Sequence, residues 1–163
     1  MHPPPRFVVD TMLGTLARWL RALGYDTLYF GQAHDRDLRQ VATREDRVLV
    51  TRDRRLALLA WPRACLITAE GVDEQLAELA AALGLAPDED RWLSRCLDCN
   101  APLTPRTRDE VRGRVPERVL AAHEAFFDCP GCGKVYWPGS HADAMLERLS
   151  RLRGRRQGDP GIA

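Results

Sequence analysis

The chain has 163 residues, of which 45% are hydrophobic and 29% charged, and a formal net charge of +1 at neutral pH. This is enough for one full domain with its own core and a small appended module. No apolar run reaches the ~18 residues of a membrane-spanning helix, and the opening Met-His-Pro-Pro-Pro-Arg lacks the layout of a secretory signal, so a cytoplasmic protein without a membrane partner is expected.

Arg6 to Asp10 is a short apolar run closing on an acid, the form of a buried parallel strand. Leu13, Leu16, Ala17, Leu20 and Leu23 follow helical spacing, and Gly24 supplies the stop. Asp26 to Phe30 predicts a second strand and Asp35 to Glu45 a second helix with Leu38, Val41 and Ala42 inward. Val48 to Thr51 is a third strand, Arg55 to Ala60 a short helix, Ala64 to Thr68 a fourth strand, and Asp73 to Leu83 a helix closed by Gly84. Strands alternating with helices predict an α/β fold with a parallel sheet covered on both faces. Beyond Ala86 to Asp90 the pattern stops. The spacing therefore divides the chain into an α/β domain over residues 1–90, a cysteine-bearing module with a terminal helix (about His141 to Leu152) over 91–153, and a flexible tail over 154–163. Between the cysteine pairs the sequence reads as a proline- and arginine-rich connector.

Four of the five cysteines form two Cys-x2-Cys pairs, Cys96/Cys99 and Cys129/Cys132, separated by 29 residues. Each pair puts two thiolates on one tight turn, and two such turns close a tetrahedron around zinc. Asn100 and Gly133 follow the second cysteine of each pair, where a left-handed backbone is favoured. Four thiolates fill the shell, so the Zn2+ is expected to be structural. Lys134 to Trp137 reads as the strand of a zinc ribbon. Cys65 lies in an apolar strand as a buried small hydrophobe.

Ligands in parallel sheets collect at the carboxyl ends of the strands. Asp10 ends the first strand, Asp53 follows the third, and Asp35 and Asp37 open the second helix. Oxygen ligands of this kind suit Mg2+ or Mn2+, which activate water for phosphodiester cleavage. Each acid also has a plain reading: Asp10 as a turn residue, Asp35 and Asp53 as helix caps. Arg52 and Arg54 flank Asp53, and Arg18 and Arg21 lie one turn apart on the first helix; all are candidates for substrate phosphates or for an ordinary solvated surface. His34 is an acid–base candidate. Tyr136 and Trp137 have the choice of stacking on bases or packing the ribbon. Residues 1–90 set 11 Arg against 14 acids, while residues 91–163 set 13 basic residues against 9. An acidic body beside a basic module suits a cation-dependent enzyme acting on a polyanion.

Several segments carry a resemblance. Phe7-Val-Val-Asp10 with Leu13-Gly-Thr-Leu-Ala-Arg-Trp-Leu-Arg-Ala-Leu-Gly24, Leu49-Val-Thr-Arg-Asp53-Arg, Arg95-Cys-Leu-Asp-Cys-Asn100 and Tyr136-Trp-Pro-Gly-Ser-His141 together resemble the Mut-seven C-terminal RNase domain family, over about residues 6–150. That resemblance implies a PIN-like sheet with a zinc ribbon, RNA as partner, and an endoribonuclease dependent on Mg2+ or Mn2+. It maps Asp10 onto the first-strand acid, Asp53 onto the acid of a Thr-x-Asp segment and Asp35 onto the acid opening the preceding helix, with Asp37 as auxiliary. Many PIN nucleases carry a further helix glutamate after the first strand, whereas residues 11–34 contain Asp26 as their single acid. That departure favours the alternative of a non-catalytic RNA-binding or ribosome- or tRNA-associated protein on the same scaffold.

Overall fold

The computed structural model describes residues 3–86 and 88–157. They divide into two compact units, one ending at Leu93 and one beginning at Ser94.

The first unit runs β1 (Phe7–Val9), a 3-10 turn (Thr11–Leu13), α1 (Gly14–Ala22), β2 (Thr27–Tyr29), α2 (Asp35–Arg44), β3 (Val48–Thr51), α3 (Arg54–Leu59), β4 (Ala64–Leu66) and α4 (Val72–Leu83). All four strands are parallel, in the order β2-β1-β3-β4, with Val9 opposite both Tyr29 and Val50. The step from β1 to β2 runs along the sheet in the direction opposite to the step from β2 to β3. Right-handed crossovers therefore place α1 on one face and α2 on the other. Leu38 and Ala42 of α2 and Leu56 of α3 pack on Val8 and Leu49, while α1 lies on β1 and β2 and touches α4. The expected doubly covered sheet is present. Phe7, Val8 and Val9 are fully buried, which explains why β1 reads as a continuous apolar run; such side chains contribute about 2 kcal/mol each.

Two glycines stop helices for different reasons. Gly84 caps α4 in the left-handed region, φ 63°. Gly24, φ 85°, follows α1, and a Cβ there would collide with the carbonyl of Arg91. Arg91 in turn donates to the Gly24 carbonyl at 2.8 Å and covers the Tyr25 ring.

At the amino edge of the sheet, Arg47 is buried. It bonds Asp26 Oδ1 at 2.7 Å, Glu45 Oε2 at 2.9 Å and the Phe7 carbonyl at 3.2 Å, tying the starts of β1, β2 and β3 together. Burial works against its charge, but the hydrogen bonds and charges of Asp26 and Glu45 outweigh it and raise its pKa.

The second unit contains β5 (Thr104–Arg106), α5 (Glu117–Ala122), β6 (Phe126–Asp128), β7 (Val135–Tyr136) and α6 (Ser140–Gln157). β5, β6 and β7 form an antiparallel sheet in that order. The stretch between the cysteine pairs is thus a folded element rather than a connector. Val111, Val115, Leu120 and Phe126 make its core, with Val119, Val135 and Trp137 packed on them. Asp128 is clamped by Arg106 and Arg114, each at 2.9 Å. The expected ribbon strand is β7. The terminal helix continues to Gln157, past the expected end at Leu152; the last part of the expected tail, residues 158–163, lies outside the described residues.

Candidate metal centre and carboxylate edge

The two cysteine pairs fold as near-copies. In the first, the Asn100 amide donates to the Cys96 carbonyl and the Cys96 amide to the Ala101 carbonyl; in the second, Gly133 donates to Cys129 and Cys129 to Lys134. Asn100 (φ 76°) and Gly133 (φ 77°) both adopt the left-handed backbone that closes each turn. The four sulfurs lie within 4.8 Å of one another, with Cys99 and Cys129 at 3.2 Å and Cys96 and Cys132 at 3.6 Å. These separations are too long for a disulfide, and close to the edge of roughly 3.8 Å expected for a tetrahedron of ~2.3 Å zinc–sulfur bonds. The donor set fits, and the group could bind a structural metal such as zinc. A Cβ on Gly131 would stand 3.1 Å from Cys99 Sγ, tighter than an ordinary contact, so glycine there leaves the sulfurs room.

The surroundings support the sulfurs. Tyr136 Oη lies 3.1 Å from Cys96 Sγ and accepts from the Leu97 amide at 3.2 Å. Burial pushes the Cys96 thiol up, but hydrogen bonding from Tyr136 and from the Cys99 and Asp98 amides outweighs it and lowers its pKa to about 6. Burial and the Cys96 sulfur both raise the Tyr136 pKa, so its hydroxyl stays protonated as a donor. Lys134 bonds Asp98 at 2.7 Å, linking the two turns. Tyr136 therefore faces the sulfur group and Trp137 packs on its own unit's core, which accounts for both aromatics.

In the first unit, the acids named from the sequence all follow strands at one edge of the sheet. Asp10 comes directly after β1, Asp53 after β3, and Asp35 and Asp37 stand in the first turn of α2, which follows β2. Asp10 is 5% exposed. Its Oδ1 accepts from the Thr11 amide at 2.7 Å and its Oδ2 from the Thr51 hydroxyl at 2.6 Å. The same hydroxyl accepts the Asp53 amide at 2.9 Å. Thr51 thus joins the two strand ends through one oxygen. Asp53 caps α3, with Oδ1 accepting from the Leu56 amide at 2.9 Å. Asp35 and Asp37 are exposed at the start of α2. Among the described residues, the cysteines form the one set of three or more metal-ligand side chains within 4.8 Å; the four carboxylates do not draw together in that way.

Asp10 is buried without a positive partner: its contacts among the described residues are amide and hydroxyl groups. Asp26, the single acid of residues 11–34, sits at the opposite edge against Arg47 and does not reach this group. Glu78 of α4, which has no evident signal in the sequence, stands beside the end of β4. It accepts from the Thr68 and Ala69 amides and the Thr68 hydroxyl. Partial burial disfavours its charge, but these bonds and the nearby Arg52 outweigh that and lower its pKa.

The arginines separate by environment. Arg52 and Arg54 flank Asp53 and are exposed. Arg18 is exposed on α1, whereas Arg21 is buried and donates to the Thr27 carbonyl at 3.0 Å, so the two do not share one solvated face. His34 is exposed at the N-cap of α2. No helix among the described residues is long and apolar enough to cross a membrane.

A family model described as the Mut7-C RNAse domain matches residues 5–149. The chain therefore belongs to that family, and the match spans both the sheet and the cysteine turns. Comparison with curated proteins and with solved structures finds no match.

Proposed function

We propose that this member of the Mut7-C RNAse domain family is a divalent-cation-dependent endoribonuclease whose reaction centre is the carboxyl edge of the sheet. The observation that carries the reading is Asp10: a carboxylate 5% exposed, held at both oxygens by neutral donors and with no cationic partner among the described residues. Leaving an ionised carboxylate buried and uncompensated is costly, and a bound cation offsets that cost. Mg2+ and Mn2+ keep several waters and need one or two carboxylates, so Asp10 and Asp53 suffice as direct ligands without a closed protein cage. When bound, the ion would supply an activated water and charge stabilisation at the scissile phosphate.

The chain's own residues divide the remaining tasks. Thr51 fixes the Asp10 carboxylate and the Asp53 backbone in one register. Asp35 and Asp37, at the start of α2 on the same edge, add negative charge, with Asp37 as auxiliary. Arg52 and Arg54 flank the centre for phosphate contact, with Arg18 as an outlying candidate. In the second unit, Cys96, Cys99, Cys129 and Cys132 would hold Zn2+ as a structural ion with no open position.

The test is cleavage of structured and unstructured RNA by purified protein with Mn2+, beside an Asp10→Asn Asp53→Asn variant. Asn remains a good cap for α3, and a thermal melt checks folding of the variant. Cleavage by the wild type and its loss in the variant are expected; cleavage that survives in a folded variant rules the reading out. A second reading, an RNA- or ribosome- or tRNA-associated binding protein without turnover, is favoured by one observation: the four carboxylates form no close ligand group. RNA binding with no cleavage under Mn2+ would select it.

A further inference from the structure

From the Asp35 end of α2 toward its far end, α2 and the turn between α3 and β4 enclose a groove of about 720 Å³. Its walls carry Arg36, Arg39 and Arg44 of α2 and Trp61, Pro62 and Arg63 of the turn, and among the described residues no acid lines it, although Asp35, Asp37 and Glu45 adjoin these arginines in the chain. Trp61 is 75% exposed. Arg63 reaches Asp46, but Arg36, Arg39 and Arg44 have no hydrogen-bond or ion-pair partner among the described residues. Elsewhere, Arg106, Arg112 and Arg114 each meet an acid. Arginines at a solvated surface are commonly interleaved with acids in this way. Here four converge on one concavity around an exposed indole.

The groove is also placed along the route to the carboxylates. α2 begins with Asp35 at the carboxyl edge and crosses back over the sheet, a run of about 15 Å for its ten residues. α3 starts directly after Asp53 and ends just before Trp61. One end of the α2–α3 pair therefore lies at the reaction edge and the other at Trp61.

We infer that this groove seats a single-stranded segment of RNA, with Arg36, Arg39, Arg44 and Arg63 on successive phosphates and a base stacked on Trp61. Guanidinium groups supply sequence-independent affinity for a phosphate chain, and an exposed indole stacks on any unpaired base. A duplex keeps its bases stacked on each other and gains nothing from Trp61. The direction of the strand toward Asp10 and Asp53 rests on the nuclease reading; the seat itself does not.

The experiment measures binding of a fluorescein-labelled 12-nucleotide single-stranded RNA by anisotropy, in buffer without added divalent cation, with the probe checked on a gel afterwards. Wild type is compared with Trp61→Ala and with Arg39→Glu Arg44→Glu; all three positions are exposed, and circular dichroism confirms that the variants fold. Trp61→Ala is expected to weaken binding about fivefold or more. The double variant is expected to weaken it more, and to flatten the dependence of log affinity on log salt by about 0.7 for each phosphate no longer neutralised. Unchanged affinity in both variants, or no binding by the wild type, overturns the inference. So does competition by poly-glutamate as strong as that by RNA, since a simple anion seat would not need the indole. Cleavage is read separately with Mn2+. Cleavage by the wild type with unaltered binding in the variants defeats the groove and leaves the nuclease reading standing. Binding abolished in the variants with no cleavage by the wild type does the reverse.

Discussion

The two edges of the parallel sheet treat buried charge in opposite ways. At the amino edge, Arg47 is matched by Asp26, Glu45 and a carbonyl, so every charge taken from water has a partner. At the carboxyl edge, Asp10 is just as buried, but its partners among the described residues are amide and hydroxyl donors. A protein that pairs one edge this fully has the means to pair the other. The contrast marks the amino edge as architecture, and a cation at the carboxyl edge, as proposed above, would supply the charge that Asp10 lacks there.

The largest effect expected from this contrast is on turnover. Asp10→Asn should reduce RNA cleavage by roughly 100-fold or more, the scale for removing one preorganised electrostatic group, while its thermal midpoint stays near that of the wild type because the amide keeps the shape of the side chain and can still accept from the Thr11 amide. A midpoint that collapses would assign Asp10 to the architecture instead. Next in size, Arg47→Met should cost about 3 kcal/mol in denaturant unfolding, because it takes the guanidinium away from Asp26, Glu45 and the Phe7 carbonyl together, yet the folded fraction should cleave normally. An inactive but fully folded variant would erase the distinction between the edges. Smaller still, Mn2+ at about 100 times its dissociation constant should stabilise the wild type by about 2.7 kcal/mol and Asp10→Asn by much less, as read by thermal shift. An equal shift in both proteins would move the cation elsewhere.

The smallest effect concerns Glu78, beside the end of β4. Its carboxyl is lowered in the folded chain, so its contribution is complete above the ordinary value of 4.5 and is lost as the pH falls through the lowered folded value. Stability measured between pH 6 and 3 should fall less steeply in Glu78→Gln than in the wild type. Parallel curves would show that Thr68 and Ala69 do not hold the Glu78 carboxylate.

The sheet was legible because its signals are local. A fully buried strand such as Phe7–Val9 must be apolar throughout, helices such as Asp35–Arg44 must repeat their apolar face, and Gly24 and Gly84 mark stops that other residues would resist. Asp10 and Asp53 were visible as candidates because parallel strands put their ends on one edge. The Thr51 link was not, since it depends on β1 and β3 pairing Val9 with Val50. The groove arginines of α2 carry no signal of their own in the sequence, and it takes Trp61 from another segment to make them a surface. The fold between the cysteine pairs was hidden for a different reason: β5 is Thr104-Pro105-Arg106, a three-residue strand with a proline, too short to show alternation.

That hidden fold bears on how the cysteine site would fill. β5 follows the first pair closely and β6 leads into the second, with Thr104 opposite Asp128. The strand pairing brings the two turns face to face, and the Asp128 clamp and the small core around Phe126 support it. Zinc-binding peptides that lack such a frame fold and bind in one event, so uptake of the ion must await a rare conformation. Here protein contacts share the ordering cost of loop closure with the ion. Uptake should then be limited by encounter and thiol deprotonation, and a chelator should yield a loosened but recoverable unit that reloads quickly when zinc is restored.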